Sequence, residues 1–447
     1  TRLCRDWSSD VCSSDLETET IERLKNNCHE DLQYTSNIFL SNLKSATLDV
    51  AKRFQIELLM RNTLLYEYDN CFYMAMHLCN LLKVSALESV RNTAGRMLLF
   101  LIPHLSYEQK NDIAVELLRA LEMESYEFTK YIPPYLGVII LQVKPKELDE
   151  IIDSFERKMS TNNKKLITLI EKTVGYSITK YSDYRYAFKE DLYFHNKRLL
   201  RFFGVLFNGF VHGSGYVNQT AFSVIAKDVF ADSALSLRKK EYLFKLTIKK
   251  VMSLMINTDE SEDLIFYNNT AALKYVYGFI SEYQHKEGPI HLPPNKKIAF
   301  FPGAFDPFTL GHKQIANDIK NQGFEVLLYV DEFSWSKRTQ PNLIRRNIIK
   351  KSIASEIDVY QFPRDISINI ANDMDLKALK DLFVDSEVYL VVGSDVVLNA
   401  SAYQRETLGV INEIPHIVYE RFDPTGSLEI QNKLNEQIGR ASCRGRV

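Results

Sequence analysis

The feature that most constrains the fold is a change in hydrophobic period near residue 285. Across residues 17–284 apolar side chains recur at helical spacing and Gly and Pro are scarce, which predicts an all-α region. Beyond residue 296 short apolar runs alternate with helix-like segments, which predicts an α/β domain with a parallel sheet and a ligand at the carboxyl ends of its strands. The apolar runs are 298–301, 325–330, 359–362, 388–392 and 417–419. The polar, proline-bearing segment 285–296 between these regions predicts a linker in a multidomain chain.

The all-α region contains an internal repeat. Ile113, Ala114 and Leu117 recur 38 positions later as Ile151, Ile152 and Phe155, and the segment after them repeats at the same offset. Paired amphipathic helices with this period resemble HEAT-type α-solenoid repeats. Pro133 and Pro134 would kink one of the helices, and an irregular helical bundle is the alternative. This region offers no catalytic constellation, and the sequence leaves open whether it binds a protein partner, self-associates by bridging subunits or only braces the α/β domain.

Both ends of the chain differ in character from the rest. Residues 1–16 and 438–447 contain strings that resemble translated sequencing adapters, and we therefore interpret both as artefacts. The predicted domains are then the all-α region 17–284, the linker 285–296 and an α/β domain 297–437.

Composition favours small-molecule chemistry. The formal net charge of −2 shows no electrostatic footprint for nucleic acid or an anionic membrane. Outside the adapter-like ends the cysteines are Cys28, Cys71 and Cys79, which make no disulfide framework, and we expect no metal site. Without a signal-peptide pattern or a long apolar run, we expect a cytoplasmic protein.

The first strand of the α/β domain leads directly into the segment 302–312, Pro-Gly-Ala-Phe-Asp-Pro-Phe-Thr-Leu-Gly-His. A glycine turn at the end of a strand lets a phosphate approach the backbone. Thr309 and His312 stand where the next helix begins, and a helix N-terminus attracts anions. On its own such a turn is a weak signal, because an ordinary strand-to-helix loop has the same composition.

The whole string resembles the G-x-F-D-P and [HT]-x-G-H signature of the nucleotidyltransferase superfamily that includes the nicotinate mononucleotide and pantetheine-phosphate adenylyltransferases. The resemblance implies a Rossmann-like fold and ATP with Mg²⁺ as the nucleotide substrate. It implies that Thr309 and His312 are catalytic, contact the ATP phosphates and stabilise the transition state without a covalent intermediate. The implied nucleotide-binding residues of this segment are Gly303, Ala304, Phe305, Asp306 and Gly311.

Two basic residues after the second strand fit the same family. Lys337 resembles its post-strand lysine, and Arg345, at a helix start, resembles its R-x-x-[ML] arginine; the resemblance implies that both are catalytic. Trp335 is a candidate acceptor-binding residue, by stacking on a ring, or it packs under the loop. Asn369 is another candidate for the acceptor pocket, and the alternative role for the asparagines of this segment is to cap turns and a helix start.

The fourth strand is followed by Gly393, Ser394 and Asp395, which resemble the G-x-D-s-L element of nicotinate mononucleotide adenylyltransferases. The resemblance implies that Gly393 and Asp395 bind the nucleotide, the acid through a ribose hydroxyl. That family usually has a tryptophan ten positions after the glycine, and this chain has Tyr403, an aromatic that could stack on a pyridine. This element favours a pyridine nucleotide acceptor.

Together these motifs predict an adenylyltransferase of NAD biosynthesis, which moves AMP from ATP to the phosphate of nicotinate or nicotinamide mononucleotide and releases pyrophosphate. The alternatives are transfer to 4′-phosphopantetheine and a catalytically silent nucleotide-binding scaffold or sensor. The family's final Ser-Ser/Thr-x-x-Arg element has no counterpart before Val447, so the domain is expected to be C-terminally truncated and its activity as a fragment is in question.

Overall fold

The structure is a computed structural model, and it describes residues 36–66, 68–123, 125–256, 263–292, 297–331, 339–400, 403, 409–420 and 442–446. The chain divides into two compact units, residues 1–202 and 203–447. The adapter-like head, 1–16, lies outside the described residues.

The first unit is helical, in agreement with the prediction. Its helices are α1 Ser36–Ser45, α2 Asp49–Tyr66, α3 Cys71–Val84, α4 Glu88–Leu101, α5 Tyr107–Ala120, α6 Tyr126–Thr129, α7 Pro133–Ile139, α8 Pro145–Lys158, α9 Lys164–Lys180, α10 Tyr184–Phe188 and the first part of α11 Leu192–Phe210.

The 38-residue offset reappears in these bounds. Helices α5 and α8 begin at Tyr107 and Pro145 and end at Ala120 and Lys158, both 38 positions apart. The next helix differs between the two copies. α9 is continuous, whereas the equivalent stretch of the first copy is broken into α6 and α7, and α7 begins at Pro133 because proline is tolerated in the first turn of a helix. The HEAT-type assignment itself stays a prediction.

The second unit continues with further helices before the sheet. They are α12 Gly215–Ser223, a π-helical turn Val224–Phe230, α13 Leu237–Ile256 and α14 Asp263–Glu287. None of the helices in the described part of the chain is both long and apolar enough to cross a membrane.

The α/β domain follows as predicted. Its elements are β1 Lys297–Gly303, α15 Leu310–Asn321, β2 Phe324–Val330, α16 Asn342–Ile353, β3 Val359–Gln361, α17 Asp373–Leu382, β4 Val388–Gly393, α18 Ser394–Asn399, β5 His416–Glu420 and β6 Ser442–Arg446. Among the described residues these strands form one parallel sheet in the order β3-β2-β1-β4-β5-β6. β6 lies inside the adapter-like tail 438–447, and the interpretation of that tail stays a prediction.

Buried side chains cover both faces of the sheet, as expected for a parallel sheet with helices on both sides. Successive residues of β1 point to opposite faces: Phe300 joins one core cluster and Phe301 the other. The strand order reverses between β1 and β4, and open parallel sheets bind ligands in the crevice at such a switch point. The fold therefore places a candidate site at the carboxyl ends of β1 and β4.

Helix α13 is joined to this sheet by a buried lysine. Lys250 is 1% exposed, and its Nζ donates hydrogen bonds to the carbonyl oxygens of Ile353, at 2.8 Å, and Val359, at 2.7 Å. The preceding residue, Lys249, forms an ion pair with the buried carboxylate of Glu325 on β2, with 2.6 Å between Nζ and Oε1. The pKa of Lys250 is lowered to about 7, and burial of the ammonium group is the largest cause of this shift.

Candidate active site

A cavity of about 660 Å³ opens at the switch point of the sheet. Its walls come from the ends of β1, β2, β4 and β5 and from the start of α15. The lining residues are Phe301, Pro302, Gly303, Ala304, Phe305, Asp306, Pro307, Thr309, Gly311, His312, Ile315, Asp331, Thr339, Ile370, Val391, Val392, Gly393, Asp395, Val396 and Tyr419. All the nucleotide-binding residues predicted from the sequence belong to this set, together with Thr309 and His312.

The loop after β1 is shaped by Phe305. This residue has a φ of 45°, in the left-handed region that side chains with a Cβ rarely adopt, at a cost on the order of 1 kcal/mol. Its buried ring packs edge-on against Phe301, Phe308 and His312 at centroid distances of 5.2–5.4 Å. These aromatic contacts stabilise the backbone conformation that brings the loop to the cavity.

Thr309 and His312 cap helix α15 reciprocally. The Thr309 Oγ1 accepts from the backbone N–H of His312 at 3.4 Å, and the His312 Nδ1 accepts from the backbone N–H of Thr309 at 3.0 Å. Because Nδ1 accepts a hydrogen bond, the proton of the neutral ring lies on Nε2. The capping box therefore fixes both the position and the tautomer of a histidine at a helix N-terminus, where the helix dipole favours anions.

Gly311, in the first turn of the same helix, borders open space. A Cβ placed on it would meet only Thr309 Oγ1, at 3.7 Å, which is an ordinary van der Waals contact. The protein itself therefore has room for a side chain at this position. Because Gly311 has no side chain, the cavity stays open beside the N-terminus of α15.

Gly393 at the end of β4 is constrained by the protein instead. A Cβ there would lie 2.4 Å from the Oδ1 of Asp395, so a side chain would displace the carboxylate. The backbone of Gly393 has ordinary extended geometry as the residue before α18. The glycine thus lets the Asp395 carboxylate fold back over the strand end, beside the cavity.

Arg345 does not line the cavity. It is 1% exposed, and its guanidinium donates to three backbone carbonyls: Gln340 from Nε at 2.9 Å, Ala304 from Nη1 at 2.5 Å and Asp331 from Nη2 at 3.0 Å. These carbonyls belong to the start of α16 and to the loops after β1 and β2. The geometry thus makes Arg345 a positioning residue behind the cavity wall, because each of its three nitrogens donates to a backbone carbonyl and its side chain is not part of the lining.

Three carboxylates line the cavity. Asp306 Oδ2 accepts from the backbone N–H of Gln340 at 2.9 Å, which ties the loop after β1 to the start of α16. Asp331 follows β2, and burial raises its pKa to about 6, against the opposing charge of Arg345. Asp395 follows β4. Within the described lining His312 is the basic side chain, and neither lysine nor arginine occurs among these residues.

Two residues predicted to bind the acceptor lie elsewhere. Tyr403 is 1% exposed in the core on one face of the sheet, and its hydroxyl lies 2.9 Å from the Nε2 of His416. Asn369 is exposed, and its Oδ1 accepts from the backbone N–H of Ala371 at 2.9 Å, which is the turn-capping role that the sequence left open. The structure therefore does not bring either side chain to the cavity. Trp335 and Lys337 lie outside the described residues.

The sequence analysis missed two polar side chains of the cavity, Asp331 and Tyr419. Asp331 is the first residue after β2, and a polar residue at that point of a parallel strand is a signal that could have identified it. Tyr419 is 4% exposed, and its hydroxyl has no hydrogen-bond partner in the part of the chain that the structure describes. Burial raises the pKa of that hydroxyl to about 12, so it stays a protonated donor. The sequence analysis missed Tyr419 because this residue belongs to an apolar run that was predicted only as a strand.

Comparisons with known proteins agree with this domain. Residues 300–427 match the protein family described as Cytidylyltransferase-like. Among solved structures, Plasmodium falciparum nicotinic acid mononucleotide adenylyltransferase complexed with NaAD aligns at 19% identity and a TM-score of 0.29, over 34% of this chain and 75% of that chain. Curated proteins give no significant match. The family match over residues 300–427, together with the parallel sheet, shows a nucleotidyltransferase-like α/β domain after the helical region.

Proposed function

We propose that this domain transfers the adenylyl group of ATP to the phosphate of nicotinate or nicotinamide mononucleotide and releases pyrophosphate. The observation that carries the proposal is the reciprocal Thr309–His312 cap on α15, at a cavity on the switch point of the sheet. The family matched by residues 300–427 supports nucleotidyl transfer as the reaction class. The choice of a pyridine mononucleotide rests on the sequence around Gly393.

The protein's main task in this reaction is to stabilise the charge on the phosphates, because the acceptor phosphate is itself the nucleophile. An oxygen of the acceptor phosphate attacks the α-phosphorus of ATP in line, the bond to the bridging oxygen breaks, and that oxygen leaves with the electron pair as pyrophosphate. His312 carries its proton on Nε2 and can donate it in a hydrogen bond to a phosphate oxygen as negative charge moves to the leaving group. The N-terminus of α15 supplies further backbone donors.

Mg²⁺ fits this site as a companion of the substrate rather than as a resident metal. Among the residues that the structure describes, no group of three or more metal-binding side chains exists. Mg²⁺ in phosphate-transferring sites is held through one or two carboxylates plus the substrate phosphates. Asp331 and Asp395 line the same cavity and are our candidates for those carboxylates. When bound with ATP, the ion would neutralise phosphate charge.

Two alternative functions keep nucleotidyl transfer as the reaction and change only one of the two substrates. The family description favours CTP as a second candidate nucleotide. 4′-Phosphopantetheine is a second candidate acceptor, because the β1 loop resembles both kinds of adenylyltransferase. A nucleotide-binding scaffold without turnover belongs to a different functional class, and the helical region would then be its interaction surface.

The deciding experiment measures pyrophosphate release by the full chain with Mg²⁺. ATP and CTP are offered in turn, each with nicotinate mononucleotide, nicotinamide mononucleotide or 4′-phosphopantetheine. Release with ATP and a pyridine mononucleotide is the expected result. Release that requires CTP, or only 4′-phosphopantetheine, would replace the proposed substrate, and silence in every combination despite measurable ATP binding would favour the scaffold.

A further inference from the structure

A second, smaller cavity of about 120 Å³ lies beside the same end of β2 and shares no lining residue with the first. Val330 borders it, whereas the next residue, Asp331, borders the large cavity. The other walls come from the start of α16 and from the segment after β3. Two arginines, Arg346 and Arg364, line this space, which we call the arginine cavity.

The two guanidinium groups have different surroundings. Arg346 is 6% exposed, and its Nη2 donates to the carbonyl oxygen of Phe362 at 2.9 Å. Arg364 is exposed. Burial lowers the pKa of Arg346 most, the charge of Arg364 lowers it further, and Tyr329 and Asp365 act in the opposite direction. Arginine does not lose its proton in proteins, so the two groups remain neighbouring cations.

The rest of the lining also favours an anion. None of the described lining residues is acidic, since Asp365 acts from outside the lining, and Asn342 and Ser367 add an amide and a hydroxyl. Asn342 is the first residue of α16, and the preceding Pro341 provides no side-chain cap for that helix. The positive end of the helix dipole therefore lies at the wall of a cavity that already has two guanidinium groups.

We propose that the arginine cavity binds the phosphate group of a phosphate monoester or free phosphate through Arg346 and Arg364. Two cations match the charge of a phosphate dianion, whereas a single carboxylate would leave one cation unbalanced. The volume equals that of about four waters at roughly 30 Å³ each, enough for a group of five heavy atoms. The inference rests on these residues alone and would hold even if the large cavity transferred no nucleotide.

The test uses inorganic phosphate as the probe and calorimetric titration of the full chain. Arg364→Gln removes one guanidinium from an exposed position, so no buried group loses its partner. Lys377→Gln, an exposed lysine on α17, makes the same change in net charge away from the cavity. We expect the phosphate affinity to fall about tenfold or more in Arg364→Gln, since a hydrogen bond to a charged group is lost, and to stay unchanged in Lys377→Gln.

A second variant and a second ligand sharpen the result. Arg364→Lys keeps the charge but loses the planar fork, so its affinity for phosphate should lie between those of the wild type and Arg364→Gln. ATP binding should be unchanged in all these variants, because ATP is assigned to the large cavity. Equal phosphate affinity in the wild type and Arg364→Gln, or an equal loss in Lys377→Gln, would overturn the proposal.

The phosphate group could belong to the acceptor mononucleotide or to a separate ligand, and enzyme kinetics distinguish the two. This part of the test rests on the proposed function. If the acceptor's phosphate occupies the arginine cavity, Arg364→Gln raises the KM for the mononucleotide about tenfold and leaves the KM for ATP unchanged. If a separate phosphate ligand occupies it, both KM values stay and only inorganic phosphate binding is lost. Absence of pyrophosphate release by the wild type would refute the proposed function, while the titration would still decide the arginine cavity.

Discussion

At the scale of single residues, the strongest local constraint is the hydrogen-bond pair between Thr309 and His312. The backbone N–H of Thr309 occupies the His312 Nδ1, and the ring packs against Phe305 and Phe308. A histidine held in this way has one tautomer and one orientation before any ligand arrives. Such preorganised donors are the main source of transition-state stabilisation in reactions that move charge between oxygens.

The first prediction concerns this donor. In His312→Ala, we expect kcat for pyrophosphate release to fall about 100-fold or more, because the donor to the phosphates is lost. Loss of half of the capping box should lower the free energy of unfolding by only about 1 kcal/mol. Thr309→Val removes the other half of the cap and is the matched control for the change in stability only, because Thr309 is itself a predicted phosphate contact. A His312→Ala variant with near-normal turnover would contradict the mechanism.

The second prediction uses Gly311, where stability and function should change in opposite directions. Alanine is a better helix former than glycine, and its Cβ meets only Thr309 Oγ1 at 3.7 Å, so Gly311→Ala should unfold at the same or higher temperature. The same methyl group enters the large cavity, and we expect ATP affinity to fall about tenfold, a typical cost of overpacking. Thermal unfolding and ATP titration measure the two effects. Unchanged ATP affinity would place the nucleotide elsewhere.

At the scale of elements, the walls of the large cavity are joined by hydrogen bonds to backbone rather than by side-chain packing alone. Arg345 binds the carbonyls of Ala304, Asp331 and Gln340, and the backbone N–H of the same Gln340 donates to the Asp306 carboxylate. The loop after β1 is therefore fixed to the start of α16. The shape of the site depends on this arrangement although Arg345 is not in the cavity.

The third prediction follows from that arrangement. Arg345→Lys keeps the positive charge, but an ammonium group cannot reproduce the planar fork that reaches three carbonyls. We expect the free energy of unfolding to fall by about 2–4 kcal/mol, because buried carbonyl oxygens lose their donors. Denaturant unfolding measures this, with Lys377→Arg, at an exposed position, as the control exchange. Stability within about 0.5 kcal/mol of the wild type, with only kcat reduced, would instead favour a direct contact between Arg345 and substrate.

At the scale of the whole molecule, the last helices before the sheet, α12 to α14, belong to the same compact unit as the sheet. Lys250 of α13 binds the carbonyl that ends α16 and the one that begins β3, and a neutral amine has the two protons that these acceptors need. Helix α14 ends at Glu287 and therefore includes the first three residues of the segment 285–296, whose role as a linker stays a prediction, while α13 lies against the domain that follows that segment. Local sequence patterns do not reveal such a contact between residues about 100 positions apart.

The fourth prediction is a pH dependence that belongs to Lys250. Its folded-state pKa of about 7 lies below the ordinary value of 10.5, so between these values the unfolded chain binds more protons and stability rises with pH. This contribution is lost progressively as the pH falls from 10.5 to 7 and changes little below the folded-state pKa. The free energy of unfolding of the wild type, relative to that of Lys250→Met, should increase from pH 7 to 9 by up to about 1 kcal/mol per pH unit.

Urea unfolding at several pH values tests this difference. Lys239→Met, an exposed lysine on the same helix, is the control and should run parallel to the wild type. A constant gap between the wild type and Lys250→Met across this range would show that Lys250 remains charged in the folded protein.

The sequence by itself determined those features that depend on neighbours along the chain. The change in hydrophobic period predicted the helical region, the parallel sheet and the position of strands β1 to β5, because side-chain spacing reports which face of an element is buried. Thr309 and His312 could be placed at a helix start for the same reason, since a capping box spans only four residues.

Tertiary structure alone decided where the other side chains lie. Arg345 could have faced a ligand or the interior, and the carbonyls of three separate segments turned it inward. Tyr403 lies in the core beside His416, while Asp331 and Tyr419 reach the large cavity from strands that the sequence marked only as apolar runs. The physical reason is that the environment of a side chain depends on elements far away in sequence, whereas periodicity and motifs describe only its own element.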